Sequence, residues 1–178
     1  MEDYRDIATI NGYKNLKNKG GDLKQFIETQ KFISRDNART PFQWDSTANA
    51  GFTTGTSWIK VNPNYKTVNE AAEEKDPNSC LNYFRKIIKL RKDNLILVHG
   101  KYTLLDKDNP DVYSYIRELD GKKLLGLLNF KSITAKANTG IDISKAKVLL
   151  GNYSNPSKDG KLQPFEAVIY ELQASDKK

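Results

Sequence analysis

Residues 34–45 read SRDNARTPFQWD. Arg35 and Arg39, Asp36 and Asp45, Asn37, Pro41 and the rings of Phe42 and Trp44 all fall within this one short run. Such a density of donors, acceptors and aromatic faces suits a catalytic site, a ligand-binding wall or a tightly tied structural loop. The flanking sequence decides among them.

The run opens a longer segment, residues 34–69, that holds Pro41, Gly51, Gly55 and Pro63 and keeps no sustained hydrophobic period. A loop of that length in a compact protein is usually functional or packed by its own side chains. Phe42, Trp44, Phe52, Trp58 and Tyr65 argue against disorder. Upstream, Ile7, Ile10, Tyr13 and Leu16 recur at helical spacing, Gly20-Gly21 breaks the pattern, and Leu23, Phe26 and Ile27 resume it. Downstream, the run from Glu73 to Asp76 reads as a solvated loop or helix cap. Asp76 is placed to cap a helix with Pro77 at its first position. Leu81, Phe84 and Ile88, with Tyr83, Ile87 and Leu90, then form a broad apolar stripe, leaving Arg85, Lys86, Lys89 and Lys92 for water.

From about residue 101 the pattern changes. DVYSYIREL (111–119), Asp120-Gly121 and KKLLGLLNF (122–130) predict a β-hairpin, because Asp-Gly supplies the positive φ angles of a tight type I′ turn. AKVLLGNYS (146–154), Asp159-Gly160 and PFEAVIYEL (164–172) predict a second, in which Phe165, Ala167 and Ile169 alternate with Glu166, Val168 and Tyr170. Short strands with turn signals and no long helix point to an antiparallel β-sandwich.

Composition narrows the chemistry. With 38% hydrophobic and 29% charged residues the chain is of ordinary globular make-up. No apolar run reaches the roughly 20 residues of a membrane helix, and the polar start MEDYRDIATINGYK is no secretory signal. The net charge of +7 is shared almost evenly between residues 1–100 and 101–178, so no basic pole marks a nucleic-acid surface. Cys80 is the single cysteine and His99 the single histidine, which removes internal disulfides, thiolate clusters and most zinc sites. His99 lies among apolar residues in NLILVHGKYTLL and reads as a structural histidine rather than a triad member. Neither phosphate-cradling glycine motif is present, so no cofactor is expected. Carboxylates remain the candidates for chemistry.

SRDNARTPFQWD, followed by NAGF, Trp58 and VNPNYKTVN (61–69), closely resembles the oligo-1,6-glucosidase and α-glucosidase side of the α-amylase family, glycoside hydrolase family 13. Trehalose-6-phosphate hydrolases, dextran glucosidases and sucrose isomerases carry the same block. DYRDIATINGYK (3–14) is similar to the segment after the last barrel strand, SCLNYFRKIIKLRKDN (79–94) to the last barrel helix, and the β region to the C-terminal domain. The resemblance implies an α+β fragment. Residues 1–100 would be the last part of a (β/α)8 barrel, helices and a long loop, and residues 101–178 an antiparallel β-sandwich C-terminal domain. A whole barrel takes about 250 residues, so Met1 would stand inside the parent sequence.

The resemblance also implies a retaining glycosidase whose catalytic Asp, Glu and Asp lie on upstream strands, leaving no catalytic residue in this chain and the chain alone inactive. Asp36, Asp45, Glu73 and Glu74 match none of those motifs. Arg35 would hold the terminal glucose of an α-glucosidic oligosaccharide, paired with an aspartate from an early loop, and Arg39 would line the neighbouring subsite. A guanidinium fork suits both tasks, and a structural salt bridge is the plainer alternative for each. Pro41, Phe42 and Trp44 would pack the loop on the barrel, and Asn62 and Asn64 would tie it together. Phe42 stands where methionine is common in oligo-1,6-glucosidases and phenylalanine occurs in sucrose isomerases. Besides the glucosidase, the sequence leaves open a sucrose isomerase or trehalose-6-phosphate hydrolase, a carbohydrate-binding module stacking sugars on Trp44, Trp58 and tyrosines, and an interaction domain that caps a barrel. Separation from a barrel would leave the apolar stripe of residues 80–95 exposed and favour self-association.

Overall fold

The computed structural model describes residues 1–173, so residues 174–178 of the expected second domain lie outside it. The chain divides into two compact units, Met1–Asn82 and from Tyr83 onward. The first holds α1 (Ile7–Asn18), α2 (Leu23–Ile33), three 3-10 turns (Arg35–Ala38, Ala48–Gly51, Pro63–Lys66) and α3 (Glu70–Lys75). Helix α4 (Cys80–Asp93) spans the division. Then come α5 (Ile96–His99), β1 (Lys101–Leu105), β2 (Val112–Leu119), β3 (Lys122–Asn129), β4 (Ala135–Lys136), β5 (Lys147–Gly151), β6 (Lys161–Leu162) and β7 (Ala167–Leu172).

Each helix of the first unit starts where a side chain accepts from its otherwise unpaired N–H groups. Asp6 accepts from Ala8 N at α1, Asp22 from Gln25 N at α2, and Asn69 from Ala72 N at α3. The expected cap of the long helix is different. Asp76 closes α3, accepts from Asn78 N at 2.8 Å, and its carbonyl accepts from Ser79 N, so Asp76-Pro77 builds a tight turn. A residue preceding proline is pushed out of the helical region, and Asp76 is extended at ψ 109°. The helix opens at Cys80 instead, where Ser79 Oγ accepts from Asn82 N at 3.1 Å and Glu73 Oε2 from Leu81 N at 2.9 Å. Glu73 is thus a cap carboxylate. Helix α3 (Glu70–Lys75) takes in Glu73 to Lys75 of the stretch read as loop or cap.

The first unit buries polar groups and exposes apolar ones. Its buried hydrophobics among the described residues are Ala50 and Ile59, against Asp6, Thr9, Gln30, Ser34, Asp36, Asn69 and Ser79. Phe32 is 85% exposed and Ile7, Ile33 and Trp58 each 65%, whereas burial of large apolar side chains is what normally drives folding. Helix α4 likewise contains no buried residue.

In the second unit a five-stranded antiparallel sheet runs β1-β2-β3-β7-β5, beside a two-stranded ribbon of β4 and β6. Leu125, Leu127, Val168 and Tyr170 meet Ala135, Ala137, Ile143, Ala146 and Leu162 in the core. The first hairpin is as expected. Asp120 (φ 50°) and Gly121 (φ 77°) turn the chain and set Leu119 opposite Lys122. The second differs: β5 pairs with β7, but Asp159-Gly160 lies within their long connection and leads into β6. There Asp159 Oδ1 accepts from Lys161 N, and Gly160 C=O accepts from Ala137 N across the ribbon. Val168 and Tyr170 of β7 are buried, as is Glu166 just before the strand. The wholly buried Glu166 side chain accepts from Ser157 N at 2.8 Å and Gln163 N at 2.7 Å.

Candidate functional site

The arginine-bearing turn is fixed by a buried polar cluster. Helix α2 ends at Ser34, and the 3-10 turn Arg35–Ala38 begins at once, with Ser34 Oγ near Asp36 N. Asp36 turns inward and its Oδ2 accepts two backbone N–H groups thirty residues upstream, Arg5 N at 2.6 Å and Asp6 N at 2.9 Å. Asp6, also buried, caps α1 and lies 3.0 Å from Thr9 Oγ1. Thr9 Oγ1 is in turn 2.9 Å from Gln30 Oε1 and 3.2 Å from Ser34 Oγ. The Thr9 hydroxyl has one proton, so it serves one of these acceptors while the Ser34 hydroxyl can donate back to it. Five buried polar side chains therefore join the start of α1 to the end of α2.

The two arginines of this turn sit in unlike surroundings. Arg35 donates from Nε (3.1 Å) and Nη2 (2.7 Å) to the same oxygen of Asp6. That hydrogen bond, reinforced by Thr9 and Ala8 N and opposed by burial, holds the Asp6 carboxyl below the ordinary aspartate range. Arg39 is exposed, and its guanidinium has no partner among the described residues. Its backbone N–H donates to Asp36 C=O at 3.0 Å, so Asp36 also fixes the far end of the turn. One guanidinium is committed inward and the other is available.

Beyond Arg39 the loop lines an apolar groove of about 440 Å³ with Thr40, Pro41, Phe42, Val68 and Leu81. Phe42 and Trp44 meet edge to face at 4.6 Å, each about half exposed. Asp45 is absorbed locally: its Oδ1 accepts from Thr47 N and the Thr47 hydroxyl, which lowers its pKa. Asn62 accepts from Asn64 N, and Asn64 C=O from Thr67 N and Val68 N, so both asparagines knit the loop. Elsewhere, His99 is exposed at the end of α5 and Cys80 at the start of α4.

Reading the sequence alone missed Asp6 and Asp36 as the groups that seat the arginines. Asp6 carried a usable signal: it precedes the helical period of residues 7–16 with Thr9 three positions on, a capping arrangement. Asp36 carried none, because its partners are backbone groups that only the fold brings near.

Residues 6–100, the segment that contains this cluster and loop, match the family described as α-amylase, catalytic domain. The chain belongs to the α-amylase family. Among its relatives is the oligo-1,6-glucosidase of Parageobacillus thermoglucosidasius, 42% identical over 180 residues, which takes in 97% of this chain and 32% of that protein. The trehalose-6-phosphate hydrolase of Bacillus licheniformis superposes with a TM-score of 0.86 at 36% identity, over 96% of this chain and 32% of that one. The isomaltulose synthase of Erwinia rhapontici NX5, solved with its natural substrate sucrose, gives 0.83 at 39% identity over the same shares. This α-amylase-family chain spans about a third of the length of the relatives it matches.

Proposed function

We propose that this chain is the C-terminal part of an exo-acting α-glucosidase of the oligo-1,6-glucosidase kind, which hydrolyses terminal α-glucosidic bonds of oligosaccharides with retention. Residues 1–100 would complete its (β/α)8 barrel and residues 101–178 form its β-sandwich domain. The 42% identity to an oligo-1,6-glucosidase along nearly the whole chain carries this reading. Such chemistry needs a carboxylate nucleophile and a carboxylic acid on either side of the glycosidic bond. Asp6, Asp36, Asp45 and Glu73 are all engaged in hydrogen bonds that tie the fold together. On this reading the catalytic Asp, Glu and Asp belong to the part of the enzyme upstream of this chain, the chain alone is inactive, and its part is to supply one wall of the substrate pocket.

Arg35 and Arg39 are the substrate-binding residues of that wall. The pairing of Arg35 with Asp6 and the exposed guanidinium of Arg39, without a partner among the described residues, support a division of labour. Arg39 makes the direct contact with sugar hydroxyls, and Arg35, half exposed beside it, supports that contact from its seat on Asp6. The exposed rings and aliphatic groups of the first unit are the surface that the rest of the enzyme covers, and in the separate chain they drive self-association.

The purified chain is expected to leave p-nitrophenyl α-glucoside and isomaltose untouched. A chimera in which it replaces the matching third of the P. thermoglucosidasius oligo-1,6-glucosidase is expected to hydrolyse both. Turnover by the chain alone, or a folded chimera without activity, would refute the proposal. Phe42 and the similarity to isomaltulose synthase support a second reading, an isomerase parent. In that case the same chimera would convert sucrose to isomaltulose rather than split it.

A further inference from the structure

Buried Asp36 is linked to both arginines of the wall, to Arg39 directly through its carbonyl and to Arg35 through Asp6. Its Oδ2 accepts the N–H of Asp6, the residue whose carboxylate holds Arg35, and also the N–H of Arg5. Its carbonyl accepts the N–H of Arg39, and its own N–H lies against Ser34 Oγ at the end of α2. It is 6% exposed, so these bonds are shielded from competing water. No other described residue bonds to both arms of this arrangement. Arg35 is set by where Asp6 lies, and Asp6 is set by its N–H on Asp36. Arg39 is set by the closure of the 3-10 turn, which is drawn inward by the same carboxylate.

We propose that Asp36 is the positioning residue of the arginine wall, setting Arg35 through Asp6 and Arg39 through the 3-10 turn. The geometry is a property of this chain. Its consequence for sugar binding rests on the reading given under Proposed function. An amide at position 36 keeps an oxygen that can accept both N–H groups, whereas a methyl group leaves two buried donors unpaired. Asp36→Asn should therefore preserve the arrangement and Asp36→Ala release it.

Two measurements separate the geometric proposal from the functional one. In the 178-residue chain, labelling with phenylglyoxal followed by peptide mass spectrometry reads each guanidinium separately. Arg35, paired with Asp6, should react about tenfold more slowly than Arg39, as befits an ion pair that must open first. Asp36→Ala should bring the two rates within about twofold of each other, and Asp36→Asn should restore most of the difference. Equal rates in the unsubstituted chain, or a difference that survives Asp36→Ala, would overturn the proposal.

In the chimera described above, Asp36→Ala should lower kcat/KM by about a hundredfold, chiefly through KM, and Asp36→Asn by much less. In an Arg39→Ala background the same change should have little further effect, because a residue acting through another shares its loss. Independent, multiplying losses would refute the action through Arg39. A folded chimera without glucosidase activity would refute the functional reading alone, with the labelling rates still deciding the geometry.

Discussion

Arg35 places Nε and Nη2 on one carboxylate oxygen of Asp6, a residue 29 positions earlier and 5% exposed, whereas the guanidinium of exposed Arg39, four positions on, has no partner among the described residues. Their contributions to stability should differ accordingly. Arg35→Ala leaves a buried carboxylate short of its strongest donor and is expected to destabilise the first unit by about 1–3 kcal/mol. Arg39→Ala should change stability by less than about 0.5 kcal/mol, as exposed substitutions usually do. Both tryptophans, Trp44 and Trp58, lie in the first unit, so urea denaturation followed by tryptophan fluorescence reads that unit selectively. Equal losses for the two variants would contradict this assignment.

The same pair gives the first unit an acid-sensitive component. Arg35 holds the Asp6 pKa below its ordinary value in the folded chain. The unfolded chain therefore takes up the proton more readily, and the stabilisation is fully present above about pH 4. It is lost as the pH falls through the lower, folded-state pKa. The stability difference between the unsubstituted chain and Asp6→Asn should accordingly shrink as pH drops below about 4. A difference independent of pH from 6 down to about 2 would show that the pair does not couple to folding.

On the first hairpin, Gly126 stands opposite Tyr115, and a methyl group added to Gly126 would meet the tyrosine ring at 2.5 Å. The ring lies on the space that a side chain would fill, an arrangement in which glycine admits close approach. Gly126→Ala is expected to cost about 1–3 kcal/mol through overpacking. Gly126→Ala with Tyr115→Ala should recover part of that loss, a recovery measurable by hydrogen exchange of the β2 and β3 amides.

Glu166 is wholly buried just before β7, with each carboxylate oxygen accepting a backbone N–H. Removing both acceptors in Glu166→Ala should destabilise the second unit by about 2–4 kcal/mol, given two unpaired donors and a cavity. Glu166→Gln keeps one acceptor and should lie between the two. Exchange protection of the β7 amides ranks the three proteins, and a Glu166→Ala protein as protected as the unsubstituted one would disprove the role.

The local signals in the sequence read well wherever a single segment controls its own shape. The periodicity of residues 7–33 marks α1 and α2, and Asp120-Gly121 marks the first hairpin, because helix phase and turn angles are local properties. Asp76-Pro77 and Asp159-Gly160 misled for a shared reason. Each has the residues of a cap or hairpin turn, but a neighbour claims its hydrogen bonds: Asn78 N at the first, Lys161 N and the β4–β6 ribbon at the second. The family block was legible in full, and Arg35 and Arg39 stood out within it. The difference in their surroundings was not, because the Asp6–Arg35 and Asp36–Arg5 bonds span about thirty residues and leave no periodic trace.

The buried cluster has a further consequence for shuffling sequence among relatives. Five contacts of the cluster join positions 5–9 to positions 30–39: Arg5 N and Asp6 N to Asp36, Thr9 to Gln30 and to Ser34, and Arg35 to Asp6. A crossover placed before residue 5 or after residue 39 moves both arginines and their whole support as one cassette. A crossover between residues 10 and 29 would join an α1 start from one ancestor to an arginine turn from another, and the two would have to agree in five buried polar contacts at once. Recombinants of this family should accordingly tolerate junctions at the ends of this helical hairpin and lose viability at junctions inside it.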